Sequence, residues 1–354
     1  MAAIPVTGDP TLEAVDRALE ARSAAEPQRG YLGMSSIGDE CSRKLWYNFH
    51  MCGRKNAESC MIRIWDGGHR GEDLMSERLR MVDGIYLETI DPRTGGQFEV
   101  RDIGGHFSGH CDGIINGILK APKTQHIWEH KEVEESSFAK LNKLKIEVGE
   151  ANALKEWHPI YYAQAVLYMH YFGITRHYLT VTTPGGRDYT SCRTHADSYE
   201  AKKLIKKAER IISAPSPLDR LSDNPSWYEC KWCDYLEHCH YGKVSVVNCR
   251  TCLHSTPIID GKSATWECQK YGAEISIETL DSSADCPSHL FIPALIPGST
   301  PQDADEDESW IEYKTDDGTT FRNGANEMPS TEIHALGTVA QMREVLQLKK
   351  RSAE

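Results

Sequence analysis

The sequence predicts an α/β fold. Three observations carry this: a helical period over residues 62–81, a block of short β-like runs separated by glycine from residue 85 to about 131, and a return to helix, strand and helix over 136–212. At 354 residues the chain can bury a full core and has room for about two or three domains. A composition of 40% hydrophobic and 26% charged residues is that of an ordinary globular protein.

The elements follow in order. Residues 11–26 read as a short amphipathic helix, closed by the Pro/Gly break at 27–30. Ser35, Ser36 and Ile37 lead into Cys41-Ser-Arg-Lys-Leu-Trp-Tyr47, a helix start with a serine cap. Over 62–81, Ile64, Leu74 and Leu79 set a helical period that places His69 and Glu72 on neighbouring positions of one surface. Strands are expected at 85–87, 98–103, 106–115 and 126–131. Residues 136–172 read as helix, with Tyr161, Gln164, Ala165 and Tyr168 at helical spacing. A strand at 178–183 ends at Pro184-Gly-Gly186, and 197–212 form a basic amphipathic helix. Beyond Gly242, a run at 244–247 leads to Cys249-x2-Cys252, Cys268 and Cys286. The acidic residues Asp303, Asp305, Glu306, Asp307 and Glu308 read as a solvated linker, followed by a short strand at 310–313 and a helix over 332–350. The expected organisation is therefore an N-terminal helical segment (1–29), a main domain (30–243), a small cysteine module (244–296), and a linker with a terminal helix (297–354).

No apolar run approaches the ~20 residues that cross a bilayer, and the first residues lack a basic start followed by an apolar stretch. A cytoplasmic setting without membrane partners is expected. A reducing compartment disfavours disulfides, so twelve cysteines need another explanation. Eight have ligand-like spacing; Cys52, Cys60, Cys111 and Cys192 read as small buried apolar residues. A net charge of −12 argues against tight non-specific duplex binding. It leaves room for a nuclease, where only a groove need be basic and metals supply positive charge locally.

Two patterns carry chemistry. Asp112 sits between a likely strand and Gly113, and Glu129 and Lys131 are two apart on the next strand, so they share a face. Carboxylates suit Mg²⁺ or Mn²⁺, and the ammonium can position a nucleophile or steady developing charge. His130 faces the other way, with its backbone carbonyl within reach of a cation. Outside this set, Cys41 and Cys230-x2-Cys233-x5-Cys239 offer four thiolates. Zinc and 4Fe–4S clusters both accept four thiolates, and His238 and His240 can also serve zinc, so spacing leaves the metal open. Cys249, Cys252, Cys268 and Cys286 resemble a zinc-ribbon-like module with a structural Zn²⁺, although its second half is two single cysteines and His254 or His289 can replace one. Arg43, Lys44, Lys140, Lys143 and Lys145, interleaved with Trp46, Tyr47 and Trp157, suit a single-stranded path, with an ordinary helical face and core aromatics as the alternative.

Over roughly residues 30–242 the chain resembles the PD-(D/E)XK nuclease superfamily, in particular its RecB-like exonuclease branch that carries a 4Fe–4S cluster and includes CRISPR-adaptation exonucleases and phage-encoded relatives. The resemblance rests on Gly67-Gly-His69 with Glu72, Gly109-His-Cys-Asp112-Gly, Glu129-His-Lys131 and Gln164-Ala-Val-Leu-Tyr168, in this order. It implies a central mixed sheet flanked by helices and an iron–sulfur clasp. It implies that His69, Asp112 and Glu129 bind one or two divalent cations, with Lys131 as the catalytic lysine. Gln164 and Tyr168 would contact the DNA backbone and brace the site. It also implies that Cys41, Cys230, Cys233 and Cys239 hold the 4Fe–4S cluster. The activity implied is a Mg²⁺- or Mn²⁺-dependent deoxyribonuclease acting on single-stranded DNA ends in recombination, repair or CRISPR and phage DNA processing, in a bacterium or phage-infected cell. A helicase, recombinase or CRISPR-adaptation protein would be its partner. The other readings are a non-catalytic DNA-binding recombination-accessory protein and a nuclease subunit active only in a larger complex.

Overall fold

The computed structural model describes residues 8–53, 57–276, 279–280 and 285–353. In chain order the elements are α1 (Pro10–Ala25), β1 (Leu32–Gly33), α2 (Ser42–Phe49), α3 (Ser59–Arg80), β2 (Tyr86–Glu88), β3 (Phe98–Asp102), β4 (Phe107–Cys111), β5 (Gly113–Asn116) and β6 (His126–Glu132). There follow α4 (Glu135–Glu147), α5 (Glu150–Trp157), α6 (Pro159–Phe172), β7 (Arg176–Thr182), β8 (Tyr189–His195), α7 (Ser198–Ser213), α8 (Tyr228–Lys231) and α9 (Leu236–His240). The remainder comprises β9 (Ser255–Pro257), β10 (Trp266–Cys268), β11 (Ala273–Ile275), β12 (Ser299–Asp305), β13 (Trp310–Thr315), β14 (Thr320–Gly324), α10 (Ser330–Ala335) and α11 (Val339–Ala353). Among the described residues no helix is long and apolar enough to cross a membrane.

The chain folds as two compact units, each assembled from separated segments. The first takes the described parts of Met1–Arg29, Lys55–Val100 and Gly109–Leu204. Its frame is a five-stranded mixed sheet in the order β2-β5-β6-β7-β8. β6 and β7 run parallel, with Glu129 opposite Leu179 and Lys131 opposite Val181; the other pairs are antiparallel. A parallel pair needs a long crossover, which α4, α5 and α6 supply. The single expected helix over 136–172 is thus three helices, because Gly149 takes a left-handed φ of 82° and Pro159 restarts the chain at the head of α6. Pairing side chains alternate across the sheet. Trp128 packs with Met75 of α3 and with Leu87, Ile115 and Ile118, while its Nε1 donates to Thr180 Oγ1 at 3.0 Å. On α6 every residue from Tyr162 to Met169 is buried, as expected of a helix that is apolar around most of its surface. Strand β8 was not expected: its sequence YTSCRTH alternates weakly, and its pairing with β7 along seven residues creates it.

The second unit takes the described parts of Gly30–Arg54, Arg101–Ser108 and Ile205–Glu354. Within it β1 pairs parallel with the start of β4, Leu32 opposite Phe107. Trp46, fully buried on α2, donates from Nε1 to the Ala214 carbonyl at 2.9 Å. Two three-stranded sheets follow, β11-β10-β9 and β12-β13-β14. The second corrects the expected acidic linker: residues 299–324 form an antiparallel meander. Strands β13 and β14 bury Trp310, Ile311, Tyr313 and Phe321, whereas β12 is almost wholly exposed. Acidic side chains on such an edge strand oppose pairing with other chains, and they also mask its alternation in sequence. The expected terminal helix is two, α10 and α11, broken at Gly337 (φ 76°).

Candidate active site

Asp112 lies between β4 and β5, and its Oδ2 accepts the backbone N–H of His130 at 2.8 Å. That bond sets the loop carboxylate beside β6, where Glu129 and Lys131 share a face. Lys131 Nζ donates to Glu129 Oε1 at 3.2 Å and stands 3.9 Å from Asp112 Oδ2. Burial opposes its charge, but Glu129 and Asp112 outweigh burial and hold its pKa above the ordinary value. The Nζ also stands 5.6 Å from the centre of the Tyr161 ring, a cation–π distance.

Glu129 is buried, and burial first, then the Asp112 charge, raises its pKa well above the usual carboxylate range. Its Oε1 also accepts from Gln164 Nε2 at 3.0 Å, but Oε2 has no hydrogen-bond partner among the described residues. Gln164 Nε2 lies 3.4 Å from the Tyr168 hydroxyl, which donates to the His110 carbonyl at 2.7 Å. Both α6 side chains are buried, Gln164 at 6% and Tyr168 at 1% exposure.

Glu72 on α3 joins this group. Burial and then Asp112 push its pKa up to about 7, against the pull of Lys131. One glutamate on a helix carries little signal in sequence, so its place near Asp112 comes from the fold. A Cβ on Gly67 would stand 3.1 Å from Glu132 Oε1, and one on Gly71 3.3 Å from His130 Nε2, so these glycines let α3 lie against β6. His69, on the same helix, is exposed. The His130 ring points away from the carboxylates, with Nδ1 3.0 Å from Thr180 Oγ1 and Nε2 3.3 Å from Thr182 Oγ1.

Glu72, Asp112 and Glu129 thus share one ammonium, and with burial the Asp112 charge raises the pKa of both glutamates. With a buried carboxylate oxygen lacking a partner, that arrangement fits a hard divalent cation. Among the described residues, no three His, Cys, Asp or Glu side chains form a ready-made cage.

The eight cysteines with ligand-like spacing lie in the second unit. Cys41 is the N-cap of α2, its Sγ accepting from Lys44 N at 3.4 Å. Cys230 sits in α8 and Cys239 in α9, with Cys233 in the turn between, its N–H donating to the Cys230 carbonyl at 3.0 Å. Burial, then Cys41 and Cys239, raise the Cys230 thiol; burial first and Cys41 among later causes raise Cys233. Cys230 and Cys233 thus each sense Cys41, but among the described residues no three of these thiols form a group that could hold a metal ion. Tyr47 of α2 stacks on Tyr235 at 5.3 Å, and the Tyr235 hydroxyl donates to Asn48 at 2.9 Å, tying the Cys41 helix to the later segment. In the second group, Cys252 is pushed up to about 11 by burial, with Cys249 and Cys286 adding to it. Cys268 sits on β10 opposite Ser255, and the buried His254 Nε2 and His289 Nδ1 lack partners among the described residues.

The aromatics expected along a single-stranded path are core: Trp46, Tyr47 and Trp157 are buried. Arg43 is bound to Tyr47 and the Leu218 carbonyl, and Lys145 to Thr190. On α7, Lys207 donates to the carbonyls of Ile37 and Asp39. Exposed aromatics occur instead at Trp227, Tyr228, Trp232 and Tyr241.

No family model matches the chain, and no curated protein matches it at a significant level. Solved structures similar to it at low likeness include exonucleases. An alkaline exonuclease from Laribacter hongkongensis is 13% identical with a TM-score of 0.37, over 55% of this chain and 90% of that one. The same enzyme in complex with dAMP is 14% identical with a TM-score of 0.35, over 56% and 90%. A phage-related exonuclease from Haemophilus somnus 129PT is 13% identical with a TM-score of 0.36, over 51% and 91%. Likenesses of this size do not decide activity; the residues must.

Proposed function

We propose that the chain is a metal-dependent DNA exonuclease of the RecB-like PD-(D/E)XK type, acting on single-stranded ends, with an iron–sulfur clasp and a zinc-binding module. The observation that carries this reading is the convergence of Glu72, Asp112 and Glu129 on Lys131, with Glu129 Oε2 buried and unpaired.

Asp112 and Glu129 would hold a Mg²⁺ or Mn²⁺ ion, with Glu72, His69 and the His130 carbonyl as further candidates. Such an ion supplies positive charge against phosphate oxygens and acidifies water. The chain's own part is positional. Gln164 and Lys131 fix Glu129 Oε1, and Oε2 has no hydrogen-bond donor among the described residues. The His130 N–H fixes Asp112. Lys131 stays protonated, and its ammonium can orient the nucleophile and offset charge growing on the phosphate. Glu72, with a pKa of about 7, can accept a proton near neutral pH. Cys41, Cys230, Cys233 and Cys239 would hold the 4Fe–4S cluster, and Cys249, Cys252 and Cys286, with Cys268 or a histidine, the zinc.

The test is a time course on end-labelled linear and circular DNA, single- and double-stranded, with Mg²⁺, Mn²⁺ or EDTA. The reading expects metal-dependent loss of linear single strands and intact circles. Full activity in Asp112→Ala or Lys131→Ala would overturn it.

A further inference from the structure

A polar cavity lies in the first unit, on the same sheet as Glu129 but lined by other residues. Its volume is ≈ 190 Å³, and its lining includes His126, Glu150, Ala151, Arg176, Arg193 and His195. The topology assembles it. His126 opens β6, Arg176 opens β7 and His195 closes β8 opposite Arg176, so three cationic or titratable residues line up across three neighbouring strands. His126 and Glu129 are three residues apart on β6, about 10 Å along the strand, and odd and even positions face opposite sides.

The charges do not cancel. Glu150, the first residue of α5, is taken by Arg193: Nη2 to Oε2 at 2.9 Å, and Nε to Oε1 at 3.3 Å. Lys120 stands 3.8 Å from the same carboxylate. Arg176 faces no carboxylate in any ion pair of the described residues; its Nη1 donates only to the Thr175 carbonyl at 2.9 Å. His126 is fully buried. Its Nδ1 lies 2.9 Å from the Thr124 carbonyl, so Nδ1 donates, and Nε2 has no partner among the described residues. An orphaned ring nitrogen in a cavity beside an uncompensated guanidinium is an expensive arrangement for an empty site. Ala151 adds the first turn of α5, where peptide N–H groups point out of the helix.

We infer that this cavity binds a phosphate group, held by Arg176 and His195 and closed by His126. Arg176 and His195 donate to the oxyanion. Nε2 of His126 accepts from a P–OH, or donates once the ring takes a proton. Size favours a small ligand: ≈ 190 Å³ lies below the roughly 300–1,000 Å³ of pockets that enclose whole small molecules, and suits a group the size of phosphate. Free orthophosphate and the terminal phosphate of a nucleotide share this chemistry. The inference does not depend on the hydrolytic reading of the carboxylate centre.

The test is calorimetric titration of the full chain in EDTA, which keeps phosphate from bridging through a cation at the carboxylates. Orthophosphate, sulfate and thymidine 5′-monophosphate are compared with chloride at matched ionic strength and with thymidine. Orthophosphate is expected to bind, and Arg176→Gln to weaken it roughly tenfold or more, as for a lost charge-assisted contact. His126→Asn is expected to do the same, and Arg176→Gln, at a half-buried position, keeps the test open if the His126 variant does not fold. Binding of the monophosphate as tightly as orthophosphate assigns the site to a nucleotide terminus; orthophosphate alone assigns it to the free ion. No binding above chloride, or equal binding by Arg176→Gln, overturns the inference.

Discussion

The carboxylate centre and the cysteine segments achieve local order by different means. Around Glu129, order comes from a strand ladder and a closed set of hydrogen bonds: His130 N–H to Asp112, Gln164 and Lys131 to Glu129, Tyr168 to His110. Around Cys230 it comes from helices of four and five residues, a turn, and one stacked pair, Tyr47 on Tyr235. A centre of the first kind is pre-organised by its scaffold. Segments of the second kind have too little regular structure to hold themselves, so a bound cluster would contribute to folding as well as occupy it. The two regions should therefore respond to substitution in opposite ways.

The largest expected effect is on activity without loss of fold. Lys131→Ala or Asp112→Ala should lower metal-dependent cleavage by about 10²–10³-fold or more, with the melting temperature nearly unchanged and the brown colour of an iron–sulfur protein retained. Cys233→Ser should do the reverse: bleach the visible absorbance and lower the melting temperature, at roughly 2–4 °C for each kcal/mol lost in a domain of this size. A colourless wild type holding zinc at the four thiolates would change the metal in this account while keeping the clasp. Gln164→Ala should fall between the two, since it leaves Glu129 Oε1 short of a donor. Loss of a buried partner costs about 1–3 kcal/mol, seen as lower activity together with a lower melting temperature.

The smallest effect is a pH dependence. Glu72 ionises near 7 in the folded chain against an ordinary value of 4.5, so folding favours its protonated form. Its contribution to stability is complete below about 4.5 and is lost as pH rises through 7. In EDTA the melting temperature should fall between pH 5 and 8, and Glu72→Gln should flatten that fall. An unchanged slope in the variant would remove Glu72 from the centre.

Much of this site was legible because strands report orientation through a period of two. Glu129 and Lys131 declare a shared face, and Gln164 and Tyr168, four apart, declare one helix side. Glu72 did not declare itself, since its meaning depends on the close approach of α3 to β6 that Gly67 and Gly71 permit. The same limit explains β8, which exists through pairing with β7, and the acidic strand β12, whose polar composition reads as loop. Trp46 and Trp157 misled in the other direction: aromatics beside lysines suggest a stacking path, yet their indole N–H groups donate to the carbonyls of Ala214 and Ser137 inside the core.

The most direct test of the central claim is a quench time course on 5′- and 3′-end-labelled linear single-stranded DNA with Mn²⁺, comparing wild type with Lys131→Ala. The account predicts progressive shortening by wild type, none in EDTA, and at least a hundredfold slower loss by the variant at equal cluster content. Equal rates for the two proteins, or cleavage that persists in EDTA, would contradict it.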